Sequence, residues 1–311
     1  LQLKAANIMF AGHLIEAPAT NLWDISAPDV GFVHEAHGFG WLDDLASVGD
    51  RQARLIAQSW VQSWIERYGR GHGPGWVADI TGRRLMRWIH HGFMILRGLE
   101  PAQSEPFFQS LGRQTVFLSR RWATASPGLP RFEALAGLIY AGLTLQGMEE
   151  YIRPATSALA RECRTQIDEY GAIATRNPEE LLEVFTLLTW VVEALREADW
   201  IPSQAHMDVL DRIAPTLRHL RHGDGSLARF HGGGKGIEGR LDAALAKSGN
   251  KRLSGNRLAM GFGRLSQCRT TIVMDVAPPP SGRASLNSHA SALALELTSG
   301  RSPIVVNSGP G

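Results

Sequence analysis

Asn287-Ser288-His289-Ala290-Ser291-Ala292-Leu293-Ala294-Leu295-Glu296-Leu297, a turn at Thr298-Ser299-Gly300-Arg301-Ser302, then Pro303-Ile304-Val305-Val306-Asn307-Ser308-Gly309 reads as a β-hairpin. Leu293, Leu295 and Leu297 alternate with small or polar residues, which is the period of a half-buried strand. The Thr-Ser-Gly-Arg-Ser run supplies the turn. A turn near Ser299 brings His289 opposite something between Asn307 and the chain's last residue. Two readings stay open there: an edge histidine satisfied within the sheet, or a polar pair that touches a ligand or metal. Just upstream, Cys268 to Ala277 is β-branched and strand-like, and Ala277-Pro278-Pro279-Pro280-Ser281-Gly282 stops it. Two or three antiparallel strands seldom stand alone, so a second chain or further sequence is expected to complete this sheet.

Before Ser254 the pattern is helical. Asp50 is placed to cap a helix with Trp60, Trp64 and Tyr68 on one face. Gly71 to Gly75 breaks it, and a helix over Thr81–His91 follows with Leu85, Trp88 and Ile89 inward. Further helices are expected over 104–124, 130–147, 149–168, 204–222 and 237–247. Asn177-Pro178-Glu179-Glu180 is a helix start: a cap, a proline in the first turn, and two acids at the positive end of the helix dipole. Leu181, Leu182, Phe185, Leu188 and Val192 then share one face. Helices joined by short breaks imply antiparallel helical hairpins. The chain therefore reads as an irregular segment over 1–40, a helical domain over 41–253 and the beginning of an antiparallel β domain over 254–311.

The 311 residues are 44% hydrophobic with a formal net charge of +2, which makes no electrostatic case for nucleic acid or a membrane surface. No apolar run reaches the roughly 18 residues a membrane span needs. The cysteines, Cys163 and Cys268, are too far apart in sequence to suggest a metal motif. Nine tryptophans against four tyrosines fit the core of a helical protein, with sugar contact as the alternative.

Three segments carry a family resemblance that extends from about Trp41 to Gly311. Gly75-Trp76 followed by Arg83-Arg84-Leu85-Met86-Arg87-Trp88-Ile89 is similar to a Trp, then Arg-x-x-x-Trp-Ile helix. Arg176-Asn177-Pro178 is similar to an Arg-Ser-Pro turn. The terminal hairpin is similar to a His-x-His-Ala-Asp, Ser-Phe-Glu-Leu, Gly-x-Pro-Leu-Val-Asp-Pro-Gly signature. Together they resemble the heparinase II/III family of polysaccharide lyases. The resemblance implies an α+β multidomain fold: an N-terminal incomplete (α/α) toroid followed by an antiparallel β-sheet domain, with a substrate groove between them. It also implies β-elimination on a uronic-acid-containing acidic polysaccharide, in the periplasm or cell envelope of a bacterium; no signal peptide is visible in the sequence, so a cytoplasmic location is the alternative. Such chemistry neutralises the uronate carboxylate, removes the C5 proton with a base, and protonates the O4 leaving group.

Carried onto this sequence, the resemblance puts Asn287 where the family has a catalytic histidine and Asn307 where it has a metal-binding aspartate. His289 matches the histidine that holds a structural zinc in some members. Ile173 and Ala174 occupy a region where the lyases carry a polar carboxylate-binding residue, and no tyrosine follows Tyr170 where a catalytic one is usual. His231 takes the part of the base, on the glycine-rich loop Arg229-Phe230-His231-Gly232-Gly233-Gly234-Lys235. Arg176 and Asn177 would hold the carboxylate. Cationic neighbours on the loop would keep His231 neutral. Arg83, Arg84, Arg87 and Trp88 on the groove wall, with Arg229 and Lys235, are the expected sugar contacts, because arginine's planar fork suits carboxylates and sulfates. The residues at the altered positions equally fit a second function, a catalytically inactive glycan-binding or scaffold protein of the same fold.

Overall fold

Two early helix starts in this chain are set by aspartate caps. Asp29 Oδ1 accepts from the Phe32 amide at 2.7 Å and Asp50 Oδ1 from the Ala53 amide at 2.8 Å. Each satisfies one of the amides a first turn leaves unpaired. The computed structural model describes residues 7–17, 20–252, 258–288 and 291–308. The chain divides into two compact units, residues 1–126 with 130–156, and residues 127–129 with 157–311.

The first unit opens with a hairpin of β1 (Asn7–Phe10) and β2 (His13–Glu16). It continues with α1 (Val30–Gly38), α2 (Trp41–Val48), α3 (Arg51–Tyr68), α4 (Ala78–His90), α5 (Gly92–Leu96), α6 (Pro101–Arg121) and α7 (Leu129–Thr144). The expectation that 1–40 is irregular is corrected. Ala11 and Gly12, at φ 48° and 80°, make the tight turn, and Phe10 packs its ring 5.2 Å from Phe32. The tryptophans form the core, as the composition suggested. Trp41, Trp64 and Trp88 are fully buried, and Phe39 meets Trp88 edge-on at 5.3 Å.

α8 (Ile152–Gln166) leads into the second unit, which holds α9 (Pro178–Glu197), α10 (Gln204–His219) and α11 (Arg240–Ser248). Asn177 caps α9, its Oδ1 accepting from Glu179 and Glu180 amides at 2.9 and 3.2 Å. Leu181, Leu182, Phe185, Leu188 and Val192 are buried, as their spacing requires. A five-stranded antiparallel sheet follows in sequence order: β3 (Leu258–Ala259), β4 (Phe262–Gln267), β5 (Thr270–Asp275), β6 (Leu295–Ser299) and β7 (Ser302–Val305). It has more strands than the two or three expected. The β6–β7 hairpin forms with Gly300 (φ 61°) and Arg301 in its turn. Glu296 and Thr298 are buried, Leu295 and Leu297 are half-buried, and Leu293 is 71% exposed. Period-two spacing fixes which residues share a face, but not which face turns inward.

Candidate functional site

Arg176 precedes the α9 cap in a left-handed conformation, φ 53°. Its side chain turns onto the β-sheet loops of its own unit. Nε donates to the Met260 carbonyl at 3.0 Å, Nη1 to Pro278 at 2.6 Å and Nη2 to Gly261 at 3.2 Å. Nη2 also pairs with Asp275 Oδ1, and the guanidinium lies 4.8 Å from the centre of the Phe262 ring. A guanidinium has five N–H donors and no acceptor, and these partners occupy its fork. The expectation that Arg176 holds a substrate carboxylate is corrected: a carboxylate of the protein occupies that place.

Asp275 closes β5 and is buried. Its Oδ2 accepts from Ser291 Oγ at 2.7 Å and faces His231 Nε2 at 3.0 Å. Ser291 Oγ also lies 3.3 Å from His231 Nε2. His231, at φ 52°, follows Phe230, whose ring stacks on Phe262 at 4.8 Å. The result is a closed cluster: guanidinium, carboxylate, imidazole and hydroxyl. The imidazole side chain is 0% exposed. His231 was expected to act as a base kept neutral by cationic neighbours on its loop; it is instead buried against an acid, and a general base must come within hydrogen-bond reach of its substrate. Asp275 and Ser291 were missed because they lie 44 and 60 residues from His231 in sequence, beyond any local pattern.

The glycines after His231 permit close approach. A Cβ on Gly232 would lie 2.6 Å from the Asn287 carbonyl, and one on Gly233 would lie 2.3 Å from Asn177 Oδ1. Gly234 N donates to Glu179 Oε2 at 2.6 Å. The loop glycines therefore pass close to Asn287 and Asn177, and Asn177 Oδ1 is already used as a helix cap. Asn287 is exposed, Lys235 is exposed and Arg229 is half-buried. A second buried pair lies nearby in the chain: His222 Nε2 meets Glu296 Oε2 at 2.8 Å, and the same carboxylate accepts from the Arg229 and Asn307 amides at 3.2 and 2.9 Å. His289 lies outside the described residues. Among the described residues no group of three His, Cys, Asp or Glu is placed to hold a metal.

The expected sugar contacts on α4 are engaged within the first unit. Arg84 is 0% exposed: Nε donates to Gln114 Oε1 at 2.7 Å, Nη1 to the Gly75 carbonyl at 2.9 Å, and the guanidinium sits 4.2 Å from the Trp64 ring centre. Trp88 is buried against Phe107, ring centres 5.2 Å apart. Both expectations are corrected, since Arg84 and Trp88, at i and i+4, share the inward face of the helix. Arg83 pairs with Glu133 at 3.3 Å, and Arg87 with Asp43 at 3.1 Å. A groove of about 640 Å³ in the second unit is lined by Asp168, Tyr170, Ala174, Arg176 and Met260, with Tyr170 60% exposed.

Among the described residues no helix is long and apolar enough to cross a membrane. Residues 251–311 match the family model described as "Heparinase II/III-like, C-terminal". FtsZ-localized protein C of Caulobacter vibrioides (strain NA1000 / CB15N) is 28% identical over 290 residues, covering 92% of this chain and 50% of that protein. The crystal structure of heparinase III has a TM-score of 0.70 at 14% identity, over 96% of this chain and 53% of its own. Heparan sulfate lyase HepC from Pedobacter heparinus gives 0.61 at 14%, over 99% and 54%. The chain thus spans about half the length of the relatives it matches. At such identity the structural likeness is one of fold, and function is argued from the site. The C-terminal segment, residues 251–311, is thus heparinase II/III-like, and the order of helices followed by an antiparallel sheet shares the fold of heparinase III.

Proposed function

We propose that this chain binds rather than cleaves: it is a scaffold or binding protein on a heparinase fold, in which residues at lyase positions have become structural. One observation carries the reading. The His231 imidazole is sealed from solvent by Asp275 and Ser291, and Arg176 is committed to the same carboxylate. Proton abstraction from a sugar needs the imidazole edge open. The relative named for its localisation with FtsZ supports a scaffold role, and we extend that localisation to this chain as part of the proposal. The full natural protein is tested against a panel of acidic polysaccharides by following absorbance of the unsaturated uronate. The reading predicts no product; growth of product that stops in His231→Gln overturns it. A fluorescent fusion checks the localisation, which fails if signal does not follow FtsZ.

A second reading is favoured by the groove beside Tyr170. Its phenol is exposed, and Arg176 lines the same groove. Here Tyr170 would serve as the acid–base group of a lyase acting on an acidic glycan in the cell envelope. Product formation abolished in Tyr170→Phe but retained in His231→Gln supports this reading against the first.

A further inference from the structure

In the first unit a groove of about 650 Å³ runs along α6, within the range of pockets that hold small ligands or short segments. Its floor is apolar: Trp76, Val116, Phe117 and Met148. Trp76 meets Phe117 edge-on at 5.1 Å, and its indole N–H already donates to the Tyr68 carbonyl at 2.7 Å. Its rim is cationic: Arg70, Arg113, Arg120 and Arg121, all exposed. No acidic side chain lines the groove among the described residues, and none of the four arginines makes an ion pair there; Arg113 has only a 3.4 Å contact to the Gly69 carbonyl. Arg113 and Arg120 are seven residues apart on one face of α6, so about 10 Å apart along the axis. That is the span of three residues on an extended chain, at about 3.3 Å each.

We propose that this groove docks an extended acidic peptide segment of a partner protein, with apolar side chains on the floor and carboxylates on the arginine rim. Charge complementarity selects an acidic occupant, because four guanidiniums gathered without a counter-charge are a steering and pairing surface. The floor selects a peptide over a sugar. The lining offers guanidinium donors beside apolar surface, a pairing that matches carboxylates and apolar side chains on one segment better than a run of hydroxyls. A thioether and aromatic rings under an arginine rim are the composition that anchors peptide side chains. The inference stands on the groove alone, so product in the lyase assay leaves it standing.

The test is an array of short immobilised peptides graded in acidity and hydropathy, probed with the full natural protein, with the double variant Arg113→Glu/Arg120→Glu, and with the charge-matched control Arg161→Glu/Arg164→Glu. Retained peptides are expected to combine acidic and apolar residues. Their affinity should fall about tenfold or more, the equivalent of 1.4 kcal/mol, in the groove variant and hold in the control. No retained peptide, retention indifferent to acidity, equal loss in both variants, or displacement by a sulfated oligosaccharide at lower concentration than by the acidic peptides overturns the proposal.

Discussion

Arg84 and His37 show how single residues in this chain depart from their usual places. Burial lowers the Arg84 pKa to about 9, yet the guanidinium keeps hydrogen bonds to Gln114, Gly75 and His37. Arg84→Met would leave those acceptors buried without a donor. A loss of about 3 kcal/mol in stability is expected by urea denaturation, and a change under about 0.5 kcal/mol would contradict this role. His37 accepts from the Trp64 indole at 2.9 Å, which requires a neutral ring nitrogen. Burial, then the neighbouring charges of Arg84 and His34, hold its pKa down to about 3; burial holds His206 at about 4. The unfolded histidines protonate near 6.5, so between these values the unfolded state binds more protons. The stability these two residues contribute is full above pH 6.5 and drains away as pH falls toward 3. Melting temperature should fall across that window, and His37→Gln with His206→Gln should flatten the fall; an equally steep fall in the double variant would exclude these two as its source. None of this was legible in sequence. A charged residue in an amphipathic helix reads as the outer face, whereas Arg84 shares its stripe with Trp88.

At the scale of elements, α4 and α7 approach through glycines. A Cβ on Gly82 would lie 2.3 Å from the Glu133 carbonyl, and one on Gly137 would lie 2.5 Å from the Gly82 Cα. Gly82→Ala should therefore destabilise by about 3 kcal/mol, the upper end for overpacking. Gly92→Ala, whose Cβ meets nothing within 4 Å, should be neutral or slightly stabilising. Equal denaturation midpoints for the two variants would contradict the close approach. Elements were the most legible level. Asp50 and Asn177 announce their helices through caps, and the change to β-branched residues near Cys268 announces the sheet. The first hairpin was missed, although Gly12, between Phe10 and His13, marks a turn. The period of β6 was legible but its inward face was not: Glu296 turns inward to tie His222 and the backbone amides of Arg229 and Asn307 to the sheet.

For the whole molecule, two residues of the lyase resemblance, Arg176 and His231, are both engaged with the buried carboxylate of Asp275. The terminal signature indicated a heparinase II/III-like fold, and residues 251–311, which match that family model, form the strands and turn it implied. Activity was illegible because it depends on whether His231 is open, and that depends on Asp275 and Ser291, which only tertiary structure brings to it. A His231 that holds the fold should announce itself in stability rather than turnover. Breaking a buried pair by removing one partner typically costs about 3–5 kcal/mol.

The most direct measurement is a paired one on the full natural protein and its His231→Gln variant: unsaturated-uronate formation on the acidic-polysaccharide panel, and melting temperature on the same samples. A structural His231 predicts a lower melting temperature in the variant and no uronate from either protein. Uronate from the natural protein that vanishes in the variant at an unchanged melting temperature would contradict it.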